Sequence, residues 1–139
     1  DRAALIEGLL DGTIDAIATD HAPHTVEEKN RPLSEAPFGV TGLETSFCVS
    51  YTALVKSGLT TLSRLIEMMA ARPARILGLD RGELREGAAA DLTLVDLNET
   101  FVVDPAKSLS KARHSPFAGR PFTGKVKWTI IDGKVIYHD

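Results

Sequence analysis

A nearly continuous apolar run at residues 14–19, IDAIAT, is the feature that most limits what this chain can fold into. A helical pattern at residues 2–10 precedes it, and Asp11 and Gly12 form the turn between the two. An apolar run this short, without regular polar alternation, is typical of a strand that is buried on both faces of a parallel sheet. The order of helix, turn and buried strand therefore predicts an α/β barrel or an open α/β sheet.

No second strand of this kind is evident in the 139 residues, and one strand cannot form a sheet. A complete α/β barrel takes eight strand–helix units and roughly 250 residues. The sequence also begins at Asp1, without a methionine, and enters a helical pattern at once. These features predict the end of a larger protein, so the missing N-terminal part of the same protein is an expected partner.

Two further amphipathic patterns, at residues 43–55 and 62–71, predict helices that follow the strand. The pattern then changes from helical to alternating. We therefore expect two parts. Residues 1–81 form the C-terminal end of a (β/α)8 barrel with an active-site loop at residues 20–42, and residues 82–139 form a small β-sandwich domain.

The end of the chain carries the clearest β signal. Hydrophobic and polar residues alternate before Asp132 and Gly133, a pair that tolerates the positive φ of a two-residue hairpin turn. This pattern predicts a terminal hairpin, with Trp128 in the core of the β domain. Residues 105–124, which precede the hairpin, are expected to form an irregular loop.

Composition excludes several classes of protein. The net charge of −3 gives no reason to expect nucleic acid or an anionic membrane as a partner. The single cysteine, Cys48, permits neither a disulfide framework nor a cysteine-based zinc site. No apolar stretch reaches the roughly 18 residues of a membrane span, and no secretory signal opens the chain. A cytoplasmic protein is the simplest interpretation.

The predicted strand runs into TDHAPH at residues 19–24, which places Asp20, His21 and His24 around one proline. The C-terminal ends of the strands hold the active site of an α/β barrel, where a carboxylate can bind a divalent metal and transfer protons. A polar turn that ends a strand is an equally good explanation of the same residue types. A long polar segment follows at residues 25–42, and loops of this length in compact domains are often functional.

Longer stretches decide between these interpretations. IATDHAPHTVEEK followed by PFGVTGLETSF resembles the dihydroorotase family, in its bacterial type within the amidohydrolase superfamily. GELREGAAADLTLVD and SPFAGRPFTGKVKWTIIDGKVIY are similar to the C-terminal third of the same family, although the pattern of the first also occurs in other amidohydrolases. The resemblance covers essentially the whole chain.

The resemblance implies roles for four residues. Asp20 matches the catalytic aspartate at the end of the eighth barrel strand, which is both a zinc ligand and the general acid–base. His24 matches the histidine that binds the substrate carboxylate, and Phe38 and Gly39 match the pair whose main chain contacts the pyrimidine ring. Glycine suits a position where the main chain approaches a ligand closely. His21 has no such match and is expected to pack beside the site.

The resemblance also implies a zinc-dependent enzyme, with one or two ions, that reversibly cyclises N-carbamoyl-L-aspartate to L-dihydroorotate in pyrimidine synthesis. The family's other zinc ligands do not occur in this chain, and Asp20 alone cannot hold zinc because catalytic sites generally use about three protein ligands. The chain by itself is therefore expected to be inactive. Implied partners are the small-molecule substrate, further copies in a homo-oligomer, and aspartate carbamoyltransferase.

Two alternatives remain open. Hydantoinase, dihydropyrimidinase and allantoinase resemble this chain in its β portion, but they generally lack the histidine at the position of His24. A dihydroorotase-like subunit without catalytic activity would instead scaffold a carbamoyltransferase, although a scaffold needs neither Asp20 nor His24.

Other polar residues have simpler interpretations. His114 lies in the expected irregular loop and His138 near the chain end, so both are expected to be exposed to solvent. The run at residues 27–29 predicts a solvated loop, and Glu44 suits the start of a helix because of the helix dipole. Cys48 is expected to be a small packing residue.

Overall fold

The computed structural model describes all 139 residues, which are helical in the first part of the chain and β in the second. In chain order the elements are helices α1 (Arg2–Asp11), α2 (Val26–Lys29), α3 (Ser46–Ser50), α4 (Leu62–Ile66) and α5 (Arg72–Ile76), then strands β1 (Leu92–Val102), β2 (Pro121–Ile131) and β3 (Lys134–His138). Two π-helical segments, Tyr51–Val55 and Glu67–Ala71, extend α3 and join α4 to α5, and a 3₁₀ turn covers Pro105–Lys107. None of these helices combines the length and the apolar character that crossing a membrane requires.

The helices confirm the patterns predicted from sequence, with shifted ends. α1 ends at Gly12, whose left-handed φ of +91° caps the helix as the sequence indicates. The predicted helix at residues 43–55 begins only at Ser46, and the one at residues 62–71 continues to Ile76. Pro73 has no N–H to donate within this helix, and the carbonyl of Met68, five residues earlier, instead accepts the Ile17 N–H at 3.2 Å.

The helical part has one small core, between the helix of residues 46–55 and the helix of residues 62–76. Tyr51 and Leu54 of the first meet Leu65 and Met68 of the second. The i, i+3 spacing within each pair puts both side chains on one face of their helix. Leu65 and Met68 have 0% exposure, and each such burial contributes about 1.5–3 kcal/mol.

Residues 14–19 form no strand in this structure, contrary to the prediction. Ile17 packs against the helical core, and its N–H donates to the carbonyl of Met68 at 3.2 Å. The nearest strand-like contact is an isolated parallel bridge between His21 and Val40. A parallel strand exists only through hydrogen bonds to strands beside it, and no strand of the chain lies beside this segment.

β1, β2 and β3 form one antiparallel sheet in that order. Phe101 of β1 pairs with Phe122 of β2, which fixes the register where the sheet meets the helices. Asp132 and Gly133 join β2 to β3 with φ of +47° and +74°. These are the left-handed values that a type I′ hairpin turn requires, so the predicted terminal hairpin is confirmed.

Two predictions about the β portion are wrong. β2 begins at Pro121, so the last four residues of the expected loop at 105–124 belong to the sheet. Trp128 is 44% exposed and is not a core residue. The three strands form a single sheet without a second sheet against it, and the Trp128 ring lies beside that of His138, with ring centroids 5.8 Å apart.

The sheet meets the helical part through the start of β2. Phe122 and Val103 form a second buried cluster with Cys48 of α3. Gly124 permits this approach because a Cβ there would lie 2.9 Å from the Tyr51 ring, closer than real Cβ contacts allow. The division into separate domains at residues 1–81 and 82–139 stays a prediction.

Candidate active site

Asp20 follows the apolar run directly and is exposed to solvent. Its φ is +46°, a left-handed conformation that is uncommon outside glycine but is tolerated by aspartate. Backbone strain of this kind concentrates at active sites, where the surrounding structure enforces it. Asp20 therefore has both the exposure and the backbone setting of a functional carboxylate.

His21 holds the segment after the apolar run against the loop at residues 40–43. Its Nδ1 accepts hydrogen bonds from the Gly42 N–H at 3.1 Å and the Leu43 N–H at 3.4 Å. The adjacent Ala22 N–H donates to the Val40 carbonyl at 3.0 Å. With its Nδ1 lone pair engaged, His21 acts as a structural residue, in agreement with the packing role expected for it.

The loop at residues 37–39 lies directly against the HAPH segment. Gly39 has a φ of +128°, and a Cβ there would lie 2.6 Å from the Ala22 carbonyl oxygen and 3.0 Å from His24 Cδ2. No side chain fits at this position, so the glycine is required for the close approach. His24 and the main chain of Phe38 and Gly39, which the sequence assigned to one site, are thus brought together.

The Phe38 side chain is 97% exposed and contacts little of the chain. The N–H and C=O groups of Phe38 and the N–H of Gly39 make no hydrogen bond within the chain. These unpaired main-chain groups are available to a polar ligand, and the role expected for Phe38 and Gly39 stays a prediction.

His24 is held by the helix that follows it. Its Nδ1 lies 3.5 Å from Glu28 Oε2, and the His24 side chain is 28% exposed. The Glu28 carboxylate also accepts the Thr25 N–H at 2.9 Å. That backbone hydrogen bond is the main cause of a lowered pKa for Glu28, with a smaller contribution from His24. Glu28 is therefore a carboxylate that orients the His24 ring.

α2 corrects the expected solvated loop at residues 27–29. Thr25 and Glu28 form a capping box, in which the Thr25 hydroxyl accepts the Glu28 N–H at 3.2 Å. The T-x-x-E spacing is a known signal for a helix start, and it would have revealed α2 in the sequence. The last residue of α2, Lys29, donates from Nζ to the Pro37 and Gly39 carbonyls, at 3.0 Å each.

The residues of this chain do not by themselves form a metal site. No group of three or more His, Cys, Asp and Glu side chains has the arrangement needed to hold an ion. Asp20 is an exposed carboxylate that can supply one ligand, whereas catalytic zinc sites use about three from the protein. The zinc expected from the resemblance therefore does not fit the residues present here.

Two residues near the site have contacts that the sequence interpretation missed. Glu44, assigned only to the helix dipole, accepts hydrogen bonds from the Ser108 hydroxyl at 2.5 Å and from the Leu109 and Ser110 N–H groups at 3.2 Å each. His114 is half-buried, with a fully buried Nδ1, so the expectation of free exposure is wrong. Its carbonyl accepts both the N–H and the hydroxyl of Thr41, which anchors the loop beside Gly42.

Cys48 confirms its predicted packing role. It is 2% exposed in the cluster between α3 and the sheet. Burial raises the pKa of its thiol to about 11. A thiol that stays protonated at neutral pH is a poor nucleophile.

Comparison with known proteins places this arrangement in a family. Residues 1–136 match the model of the amidohydrolase family. A dihydroorotase from Lactiplantibacillus plantarum is 56% identical over 138 residues, which are 99% of this chain and 32% of that protein. A dihydroorotase from Bacillus cereus is 53% identical over 137 residues, with the same coverage of 99% and 32%. The chain thus spans about a third of the length of the curated relatives it matches.

Solved structures agree on the fold. D-hydantoinase (dihydropyrimidinase) from a Thermus species superposes with a TM-score of 0.90 at 24% identity, over 100% of this chain and 31% of that one. L-hydantoinase (dihydropyrimidinase) from Arthrobacter aurescens gives a TM-score of 0.89 at 36% identity, over 98% of this chain and 31% of that one. These likenesses confirm that the chain is a fragment of the predicted barrel fold with a β part, although this chain forms a single antiparallel sheet and not both sheets of the expected sandwich. From its fold and its sequence, the chain belongs to the amidohydrolase family.

Proposed function

We propose that this chain is the C-terminal portion of a zinc-dependent dihydroorotase, which reversibly cyclises N-carbamoyl-L-aspartate to L-dihydroorotate in de novo pyrimidine synthesis. The observation that carries the proposal is the approach of Gly39 to the His24 ring, since a Cβ at Gly39 would lie 3.0 Å from His24 Cδ2. An imidazole beside unpaired main-chain groups suits a ligand with a carboxylate on a cyclic amide. The 53–56% identity to dihydroorotases supports the same substrate.

In this proposal, His24 anchors the carboxylate of dihydroorotate through an imidazole N–H. Glu28 lies on the Nδ1 side of the ring, so the form that binds the substrate in this proposal is the imidazolium, which carries a second N–H at Nε2. The Phe38 and Gly39 main chain pairs with the N–H and C=O groups of the pyrimidine ring. A hydrogen bond to an ionised group is roughly twice as strong as one between neutral groups, so His24 dominates the binding and the main chain orients the ring.

Asp20 is proposed as the general acid–base. In the hydrolytic direction, water adds to the ring amide carbonyl and the carbon–nitrogen bond breaks. Asp20 takes the proton from the attacking water and delivers it to the departing ring nitrogen. In the synthetic direction, its carboxylate removes a proton from the carbamoyl nitrogen as this attacks the side-chain carboxyl group, and it returns the proton to the departing oxygen, which leaves as water. A positioned proton-transfer group of this kind contributes about 10²–10⁴ to the rate.

The proposed enzyme is larger than this chain. Zinc, as one or two ions, would need ligands from outside these residues, so we expect activity in the full-length protein and none in this chain alone. By the same resemblance, we propose a cytoplasmic homo-oligomer that associates with aspartate carbamoyltransferase.

One alternative has an observation in its favour. The likeness to L-hydantoinase, at 36% identity, makes another cyclic-amide hydrolase the second candidate function. A hydantoinase, dihydropyrimidinase or allantoinase acts on rings without the carboxylate of dihydroorotate. The residue that separates the two candidates is His24, because a neutral ring gives its imidazole no anion to bind.

The test of the proposed catalysis is Asp20→Asn in the full-length enzyme. Because the amide can neither accept nor deliver the proton, we expect kcat to fall by about three orders of magnitude. The matched control is Asp15→Asn, another exposed aspartate of the same segment, whose contact is a surface ion pair to Arg72 at 3.6 Å; its kcat should stay within about twofold. Near-normal turnover by the Asp20 variant would contradict the assignment.

A further inference from the structure

The ammonium group of Lys29 closes the loop that carries Phe38 and Gly39. Its Nζ donates to the Pro37 carbonyl and to the Gly39 carbonyl, at 3.0 Å each. These two carbonyls flank Phe38 on both sides. Hydrogen bonds from a charged donor are roughly twice as strong as neutral ones, and the Lys29 side chain is half-buried, which limits competition from water. One side chain therefore fixes the main chain on either side of residue 38.

Lys29 can act in this way because α2 is itself held in place. The capping box of Thr25 and Glu28 satisfies the first turn of the helix, and the Lys29 N–H donates to the Thr25 carbonyl at 3.1 Å. Glu28, the residue before Lys29, faces the His24 ring. Consecutive residues of one short helix thus reach the two sides of the proposed substrate site.

The opposite side of the loop is fixed by close packing. Gly39 packs against Ala22 so closely that a Cβ at position 39 would lie only 2.6 Å from the Ala22 carbonyl oxygen. The Phe38–Gly39 main chain is therefore held between Lys29 and the HAPH segment. The main-chain groups that this clamp leaves unpaired are the N–H and C=O of Phe38 and the N–H of Gly39.

We propose that Lys29 is a positioning residue for substrate binding, which holds the Phe38–Gly39 main chain in the geometry that receives the pyrimidine ring. The inference rests on the function proposed above. Two of the three ammonium N–H groups of Lys29 are donated to the loop carbonyls, and no hydrogen bond or ion pair joins Lys29 to Asp20, the proposed acid–base. Loss of Lys29 should therefore weaken binding of substrate and transition state alike, which raises KM and leaves kcat nearly unchanged.

The experiment compares Lys29→Ala with Lys56→Ala in the full-length enzyme. Lys56 is an exposed lysine that follows the π-helical extension of α3, far in sequence from the site. For Lys29→Ala we expect the KM for L-dihydroorotate to rise about tenfold while kcat changes less than about threefold. The control variant, Lys56→Ala, should have the KM and the kcat of the wild-type enzyme. An unchanged KM, or a fall confined to kcat, would overturn the proposal.

Chemical rescue tests whether the ammonium group of Lys29 is what keeps the KM for L-dihydroorotate low. Alkylation of Lys29→Cys with 2-bromoethylamine places an amine at nearly the length of lysine, whereas buried Cys48, with its thiol pKa of about 11, should not react. Treated Lys29→Cys should recover most of the wild-type KM, and treated wild-type enzyme serves as the control. If the amine is restored and KM is not, the positioning role is wrong.

A readout independent of turnover separates this inference from the proposed function. The Phe38 side chain is 97% exposed and offers a chymotrypsin site within the clamped loop. If Lys29 holds the loop, cleavage after Phe38 should be about tenfold faster in Lys29→Ala, because proteolysis follows local opening. Faster cleavage in a protein that does not turn over dihydroorotate would support the clamp and reject the proposed function. Equal cleavage rates would overturn the clamp, whatever the activity.

Discussion

Two residues of the candidate site hold backbone conformations that most side chains avoid, Asp20 at φ +46° and Gly39 at φ +128°. The resemblance to dihydroorotases, rather than local chemistry, assigned both residues to the site. The reason that Gly39 is needed emerged only from the structure, since it depends on contact with Ala22 and His24 across the loop. Longer motifs can therefore nominate chemistry-bearing residues at this scale, whereas the contacts that orient those residues are visible only in the structure.

Replacing His24 should change which substrates the full-length enzyme binds. Because His24→Ala removes the proposed carboxylate anchor, the KM for L-dihydroorotate should rise about tenfold or more, while that for the neutral analogue dihydrouracil should hardly change. Steady-state kinetics with both substrates would measure this. His138→Ala, a substitution at an exposed histidine in β3, is the matched control. An equal loss for both substrates would argue against carboxylate binding.

The contacts of Glu44 and His114 could not be predicted from the sequence. Each is polar and ordinary in its local sequence, yet each links the loop before α3 to residues 108–114, more than sixty positions away along the chain. No local pattern reports a contact between segments so distant. By contrast, Cys48 sits on an apolar helical face, and that pattern was sufficient to predict its burial.

At the scale of secondary structure, the sequence predicted those helices and strands whose formation depends on residues close together in the chain. The terminal hairpin was predicted because Asp132 and Gly133 specify their own turn. α2 was missed because four residues are too few to show helical periodicity, which left the T-x-x-E capping signal as its only sequence evidence. The apolar run at residues 14–19 was wrongly predicted to be a strand. A parallel strand forms only through hydrogen bonds to neighbouring strands, and the sequence of the run does not show whether such neighbours are present.

The link that Glu44 makes between elements can be tested by hydrogen exchange. Glu44→Ala removes the acceptor for the Leu109 and Ser110 N–H groups. Those amides should exchange about fivefold faster in the full-length protein, equivalent to about 1 kcal/mol of local stability. Glu44→Gln, which keeps an acceptor oxygen, should show a smaller effect, and Glu83→Ala, at an exposed glutamate, should show none. Unchanged exchange in Glu44→Ala would mean that this contact does not hold the loop.

At the scale of the whole molecule, the chain exposes more surface than a compact protein of its size. Its accessible surface is 9334 Å², whereas a monomer of this mass exposes about 7,000 Å². Only 12 of 139 residues are buried, and large apolar side chains such as Leu33, Leu84 and Leu109 are 93%, 87% and 76% exposed. Extensive exposed apolar surface is characteristic of faces that pack against other protein. This surface supports the proposal that the chain works as part of a larger enzyme.

The most direct test of the central claim is the selectivity of the full-length protein between L-dihydroorotate and dihydrouracil, which is the same ring without the carboxylate. If His24, Phe38 and Gly39 form a dihydroorotase site, kcat/KM for ring opening should be about a hundredfold greater for dihydroorotate, a difference of about 2.7 kcal/mol. Equal values, or a preference for dihydrouracil, would contradict the claim and identify a cyclic-amide hydrolase of the hydantoinase kind.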